Sequence, residues 1–192
     1  MPRVVRKQKP PVPTDYRKYK PYLRLDFGSR CAYCHIPEVR YGSPGNYSVD
    51  HFRPKSRPEF QRFRCLYANL FYACMDCNRI KGNTWPTRQL QNLGFRFLNP
   101  CRDNMANHWT VDETGLMIPK TLPAEYMIAR LNLNRRLLCE WRRDKSDLAA
   151  RIQDLSQSIA LTGNDRDLKN ALTRVLNRLS KQLLEEFADY WR

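Results

Sequence analysis

The sequence predicts an α+β chain built on a small metal-stapled core of two strands and a helix. A basic arm and short helix precede this core, and an antiparallel helical hairpin follows it. Three observations carry that expectation. Two C-x-x-C pairs, Cys31/Cys34 and Cys74/Cys77, bracket residues 31–83. Between them Tyr47-Ser48-Val49-Asp50-His51-Phe52 alternates as a strand does, and Met75 to Lys81 reads as a short helix with Gly82 at its C′ position. Beyond residue 123 apolar residues recur every three or four positions. The chain divides accordingly into 1–30 (arm and short helix), 31–83 (core), 84–123 (Pro-rich connection) and 124–192 (helical region).

At 192 residues the chain is long enough for one domain with a real core. Its formal net charge of +15 points to a polyanionic partner, either nucleic acid or an acidic membrane surface. No apolar run is long enough to span a bilayer, and MPRVVRKQKPPVP lacks the apolar centre of a secretory signal. The expectation is a soluble cytoplasmic protein with no membrane partner. In a reducing compartment, close cysteine pairs favour metal over disulfide.

Residues 1–13 are rich in Pro, Lys and Arg and lack periodicity, so they read as an extended arm. Residues 1–30 carry nine basic side chains against Asp15 and Asp26, and the arm is either a phosphate contact or a solvated basic tail. A helix over Asp15 to Phe27 can be capped by Thr14 and puts Tyr19, Tyr22, Leu23 and Phe27 on one side. In the connecting segment FRFLNPC (95–101) alternates like a strand. Asp112-Glu113-Thr114-Gly115 reads as the turn of a hairpin between 109–111 and 116–118. A break is expected at Leu133-Asn134. Leu148, Ile152, Leu155 and Ile159 then form one stripe, and Leu168, Leu172, Val175, Leu176, Leu179, Leu183, Phe187 and Tyr190 form another. Gly163 suits the C′ position between them, and Asn164 or Asp165 the following N-cap. The second stripe is either core packing or a face for a partner or second copy.

Two C-x-x-C turns can close a tetrahedron of thiolates around zinc, and four sulfurs leave no open position for chemistry. Cys31, Cys34, Cys74 and Cys77 are therefore expected to hold a structural Zn2+. The 39 residues between Cys34 and Cys74 exceed a zinc-ribbon spacing, so the insert must have structure of its own. His35 either substitutes as a ligand, or is a surface residue, or sits beside the site. Lys55, Arg79 and Lys81 either hold nucleic-acid phosphates or are solvated charges.

The motifs C-A-Y-C, D-H-F-R-P-K, A-N-L and C-M-D-C-N-R-I-K-G, in that order, resemble the HNH endonuclease family with its ββα-metal fold. The resemblance implies an enzyme that hydrolyses phosphodiester bonds of DNA, with RNA left open, to 5′-phosphate and 3′-hydroxyl ends. It implies His51 as general base, Asp50 and Asn78 as ligands of a catalytic Mg2+ or Mn2+, and Asn69 as the residue that orients the histidine. Asn83 is the alternative to Asn78 if the helix register differs. In this family adjacent Asp50 and His51 both aim at the site, which requires a local twist because neighbouring strand residues point to opposite faces. The flanking phrases YRKYKPYLRLDFGSRCAYC, FRFLNPC and IPK…LNLNRR resemble small bacterial HNH proteins of the Septu type, which implies antiphage defence alongside an ATPase partner. A zinc-stapled nucleic-acid-binding module or regulatory subunit without autonomous catalysis is the alternative.

Overall fold

A computed structural model describes residues 4–11, 15–163 and 165–187, the side chains of the last two excepted. Arg3, Thr14, Asn164, Tyr190 and the Phe187 side chain, which figure in the expectations above, lie outside it.

Residues 4–11 of the arm carry no helix or strand but are not a free tail. Val4 is buried, and its N–H donates to the Pro100 carbonyl at 2.6 Å. The Arg6 guanidinium lies over the rings of Phe27, Tyr67 and Phe71 at 5.2, 4.8 and 5.3 Å and donates to the Leu70 carbonyl. The N–H groups of Lys7 and Gln8 both donate to Asp26 Oδ1. Arg6 is thus a packing residue whose charge is taken up by ring faces. This corrects the phosphate-contact reading of the arm at that position.

A 3-10 turn over Tyr16–Tyr19, capped by Asp15, runs into α1 (Lys20–Asp26). Tyr19, Leu23 and Phe27 are buried along the apolar side. Residues 30–37 fold back as a knuckle, closed by an isolated bridge between Arg30 and Pro37, and the short α2 (Glu38–Tyr41) follows. β1 (Tyr47–His51) then pairs antiparallel with β2 (Leu70–Cys74), Tyr47 opposite Cys74 and His51 opposite Leu70. All five β2 residues are buried because α1 packs against the strand as well as α3 (Met75–Lys81), which starts where β2 stops. The central order is therefore strand, long loop, strand, helix.

The connecting segment contains α4 (Arg88–Asn92), a short helix capped by the Thr87 hydroxyl that apolar periodicity does not signal. Residues 95–101 correct the strand expectation. Phe97 and Leu98 are buried, but this segment has no sheet partner among the described residues. The expected hairpin is present as β3 (Trp109–Val111) and β4 (Met117–Pro119). The Asp112 carboxylate ties its turn by accepting from the N–H groups of Thr114 and Leu116. Gly115, at φ +84°, passes so close to the next helix that a Cβ would lie 2.1 Å from the Cys139 carbonyl oxygen.

α5 (Leu122–Arg130) is capped by Thr121, and the chain breaks over residues 131–135 before α6 (Arg136–Leu161) and α7 (Arg166–Phe187). Asp165 caps α7 by accepting from the Leu168 N–H at 3.0 Å. Leu148 on α6 and Leu179 on α7 line one cleft, as in an antiparallel pair. Leu148 is buried, whereas Leu168, Val175 and Leu184 remain exposed. Among the described residues no helix is long and apolar enough to cross a membrane.

Candidate functional site

The first cysteine pair sits in the knuckle. The Cys31 N–H donates to the Ile36 carbonyl, the His35 N–H to the Cys31 carbonyl, and the chain turns through a left-handed His35 at φ +62°. His35 is buried, which corrects its reading as a surface residue. The Ala32 N–H donates to the Tyr72 carbonyl at 2.7 Å and so fastens the knuckle to β2. The second pair is placed by the strand-to-helix junction, with Cys74 as the N-cap of α3 and Cys77 in its first turn.

The four ligand atoms lie within 4.8 Å of one another, all buried. Cys34 Sγ and Cys74 Sγ are 3.8 Å apart, the edge of a tetrahedron with metal–sulfur bonds of about 2.3 Å. The cluster therefore fits a metal ion such as zinc. Burial opposes ionisation of Cys31, but hydrogen bonds from Cys34, Cys74 and Cys77 outweigh it and hold that thiol well below its ordinary range, while burial pushes Cys34 up and the hydrogen bond to Cys31 pushes Cys74 and Cys77 up.

Arg135, from the break before α6, completes the centre. Its Nη2 points at Cys77 Sγ (3.5 Å), Cys74 Sγ (3.8 Å) and Cys34 Sγ (4.0 Å). Burial alone would lower its pKa, but the negative charge on Cys77 and Cys34 reverses the shift and raises it. A guanidinium here offsets the charge of four thiolates and orients the sulfurs. Nothing near Arg135 in sequence signals this role, because its cysteine partners lie 58 or more positions away.

At the other end of the β1/β2 hairpin the two adjacent candidates part company. The ladder stays regular to His51, opposite Leu70, so the local twist expected from the family does not occur. Asp50 faces α3. Its carboxylate accepts from the Tyr33 hydroxyl, which burial and then the Asp50 charge push to a raised pKa. It also pairs with Lys81 Nζ, 3.2 Å from Oδ1 and 3.0 Å from Oδ2. Lys81 is wholly buried and donates as well to the His51 carbonyl at 2.7 Å. The phosphate-contact reading of Lys81 is thereby corrected. The sequence held a signal for it, since Lys81 falls four residues after Cys77 and thus on the same buried face of α3.

Asn78 Nδ2 donates to Ser48 Oγ at 2.6 Å, on the same side of β1 as Asp50. Asp50 and Asn78 thus share the β1/α3 seam. A divalent ion that retains waters does not fit Asp50 as placed, because the carboxylate is buried and already neutralised by an ammonium group. Asn83 is exposed just past Gly82. Arg79 is largely solvated, with Asp76 at 3.5 Å.

His51 faces the opposite way and is also buried. Its Nε2 lies 2.9 Å from the Arg64 carbonyl oxygen. A carbonyl can only accept, so Nε2 carries the proton and Nδ1 keeps the lone pair. Asn69 holds the loop that supplies this carbonyl. Its Oδ1 accepts from the Arg53 N–H at 2.9 Å, and its Nδ2 donates to the carbonyls of Arg53 (3.1 Å) and Phe63 (3.3 Å). One amide therefore pins both ends of the 53–63 loop. Tyr16 and the imidazole pack in a T shape at 4.5 Å between centroids, and Lys55 Nζ donates to the Tyr16 hydroxyl. Burial, followed by the nearby Lys55 charge, outweighs the Arg64 and Asp50 contributions and lowers the His51 pKa. The neutral imidazole is the favoured form. The Lys55 hydrogen bond is the first cause of a lowered Tyr16 pKa.

Fold and site together define a small helix-and-strand chain with a four-cysteine cluster that fits a metal ion at one end of a strand pair and a buried, anchored histidine at the other. No family model matches it. The chain is similar to the Septu protein PtuA of Bacillus mycoides (strain KBAB4), 27% identical over 139 residues that cover 63% of this chain and 20% of that protein. It is also similar to the Septu protein PtuB of the same strain, 27% identical over 147 residues that cover 64% of this chain and 49% of that protein. The chain thus spans about a fifth of the first relative and about half of the second.

Proposed function

We propose that this chain is a nuclease of a Septu-type antiphage defence system, hydrolysing nucleic-acid phosphodiester bonds with His51 as general base and working with an ATPase partner. The anchored tautomer of His51 carries the proposal. A histidine held through Nε2 by a carbonyl presents a basic Nδ1 in a fixed direction, as proton abstraction from an attacking water requires. In the step proposed, Nδ1 takes the water proton as its oxygen bonds to phosphorus. The bond to the 3′ oxygen then breaks and that oxygen takes a proton from solvent, while the His51 imidazolium returns its own to solvent, leaving 5′-phosphate and 3′-hydroxyl ends. Lys55, beside the imidazole, is the cation placed to meet a phosphate oxygen, and its charge helps keep His51 neutral. The buried cysteine centre holds the fold around this loop. Asp50 is the counter-ion of Lys81, and no step is assigned to an ion bound there. The similarity to the two Septu proteins supports the defence role and the partner.

The saturation of Asp50 by Lys81 favours a second reading, a nucleic-acid-binding or regulatory subunit that does not cut by itself. End analysis separates the two. Purified protein, alone and with a co-expressed ATPase partner, is incubated with labelled DNA and RNA in Mg2+ buffer. New 5′-phosphate ends that are missing with His51→Ala support the nuclease. Equal cutting by His51→Ala, or none under any condition, removes it.

A further inference from the structure

The loop pinned by Asn69 and the segment around α4 enclose a groove that the functions above leave unused. Two clefts of about 470 and 400 Å³ share Arg53, Trp85 and Gln91. That size is ordinary for a ligand site. The floor is aromatic: Phe60 and Trp85 pack edge to face at 5.3 Å, and Trp85 rests in turn on the buried Phe52 at 5.4 Å. Phe60, Phe63 and Trp85 are only partly covered. The Arg53 guanidinium lies over Phe63 at 5.0 Å and over Phe60 at 5.8 Å, while the Arg57 Nη2 donates to the Trp85 carbonyl at 3.1 Å.

The rim is cationic. Arg53, Arg57 and Arg88 face one acid, Glu59, which lies 3.8 Å from Arg57. In the adjoining cleft Arg96 and Arg102 face Asp103, which the Arg96 guanidinium grips at 2.8 Å through both nitrogens. Ring faces between arginines match a chain of flat bases on a phosphate backbone. A duplex buries its base faces by stacking and offers only its edges and phosphates, so this groove suits unpaired nucleotides. The loop that lines it begins directly after His51 and ends at the carbonyl that holds the imidazole.

We infer that the Phe60–Trp85 groove binds unpaired nucleotides of a single-stranded or looped nucleic acid, bases stacking on Trp85 and phosphates meeting Arg53 and Arg88. This deepens the nuclease reading by naming the substrate class, and it rests on that reading for the word substrate.

The test is binding by fluorescence anisotropy in the His51→Ala background, so that turnover plays no part. Labelled unstructured single-stranded DNA, single-stranded RNA and a duplex of matched length are compared. Trp85→Leu is expected to weaken binding of at least one single strand by about one to two powers of ten, the usual worth of one base stack. Duplex binding should change less than about twofold, because phosphate contacts carry it. Trp85→Phe, which keeps a ring, is expected to retain most of the affinity and guards against a folding artefact. Whichever single strand depends on Trp85 identifies the sugar. Unchanged affinity for both single strands, or equal loss on strands and duplex, overturns the inference. Trp85-dependent binding without cleavage by the wild type would defeat the nuclease reading alone. Cleavage with Trp85-independent binding would defeat only the groove.

Discussion

The two ends of the β1/β2 hairpin are held by different kinds of bond. At the Tyr47–Cys74 end four buried thiols and a guanidinium converge from the knuckle, α3 and the break before α6. At the His51–Leu70 end one amide, Asn69, fastens a loop through backbone hydrogen bonds, and the loop fastens the imidazole. The first end holds segments distant in sequence and should fail globally. The second holds a local loop and should fail locally. Between them the Asp50–Lys81 pair locks β1 to α3.

Substitutions can break or sharpen this contrast. The largest effect is expected from Cys74→Ser or from stripping the metal. Structural zinc supplies about 10–16 kcal/mol of apparent binding energy in small modules, as much as the whole stability of a typical domain. Loss of cooperative unfolding by circular dichroism, alongside loss of about one zinc per chain by elemental analysis, is the expected outcome. A folded, metal-free Cys74→Ser protein would refute the scaffold role.

Next comes the lock. Lys81→Met or Asp50→Ala leaves a buried charge without its partner, which costs about 3–5 kcal/mol. The double variant Asp50→Asn/Lys81→Met is expected to regain much of that in a denaturant titration, because it leaves no charge buried. Additive losses would mean that the two groups are not coupled.

Arg135→Met sharpens the cysteine end. It is expected to leave the fold intact but weaken metal retention about tenfold to a hundredfold against a competing chelator. Smallest in stability is Asn69→Ala, at about 1–3 kcal/mol for the backbone partners left unsatisfied. It should keep its metal and its melting cooperativity while faster amide exchange appears across residues 53–64. Protection unchanged in that loop would show that Asn69 does not hold it.

The sequence showed the cysteine end more fully than the histidine end. Two C-x-x-C turns need only local spacing, and strand alternation, the Asp112 turn and the helical stripes are local patterns too. Asn69 was legible as an orienting residue only through family resemblance. Residues whose roles depend on distant partners stayed hidden. Arg6 reads as an arm charge until Phe27, Tyr67 and Phe71 assemble around it. Arg135 has no local mark at all. The alternation rule already placed Asp50 and His51 on opposite faces, and the regular ladder follows that rule rather than the twist drawn from the family. FRFLNPC misled because the buried Phe97 and Leu98 suggest a strand, while the chain turns at Asn99 and has no sheet partner among the described residues.

The most direct measurement is the cleavage rate of wild-type and His51→Ala proteins matched for metal content and melting temperature, with the ATPase partner present. If His51 is the anchored general base, the variant should be slower by about a hundredfold to ten-thousandfold while binding nucleic acid as before. Equal rates would contradict the assignment and leave the histidine as a packing residue of the loop.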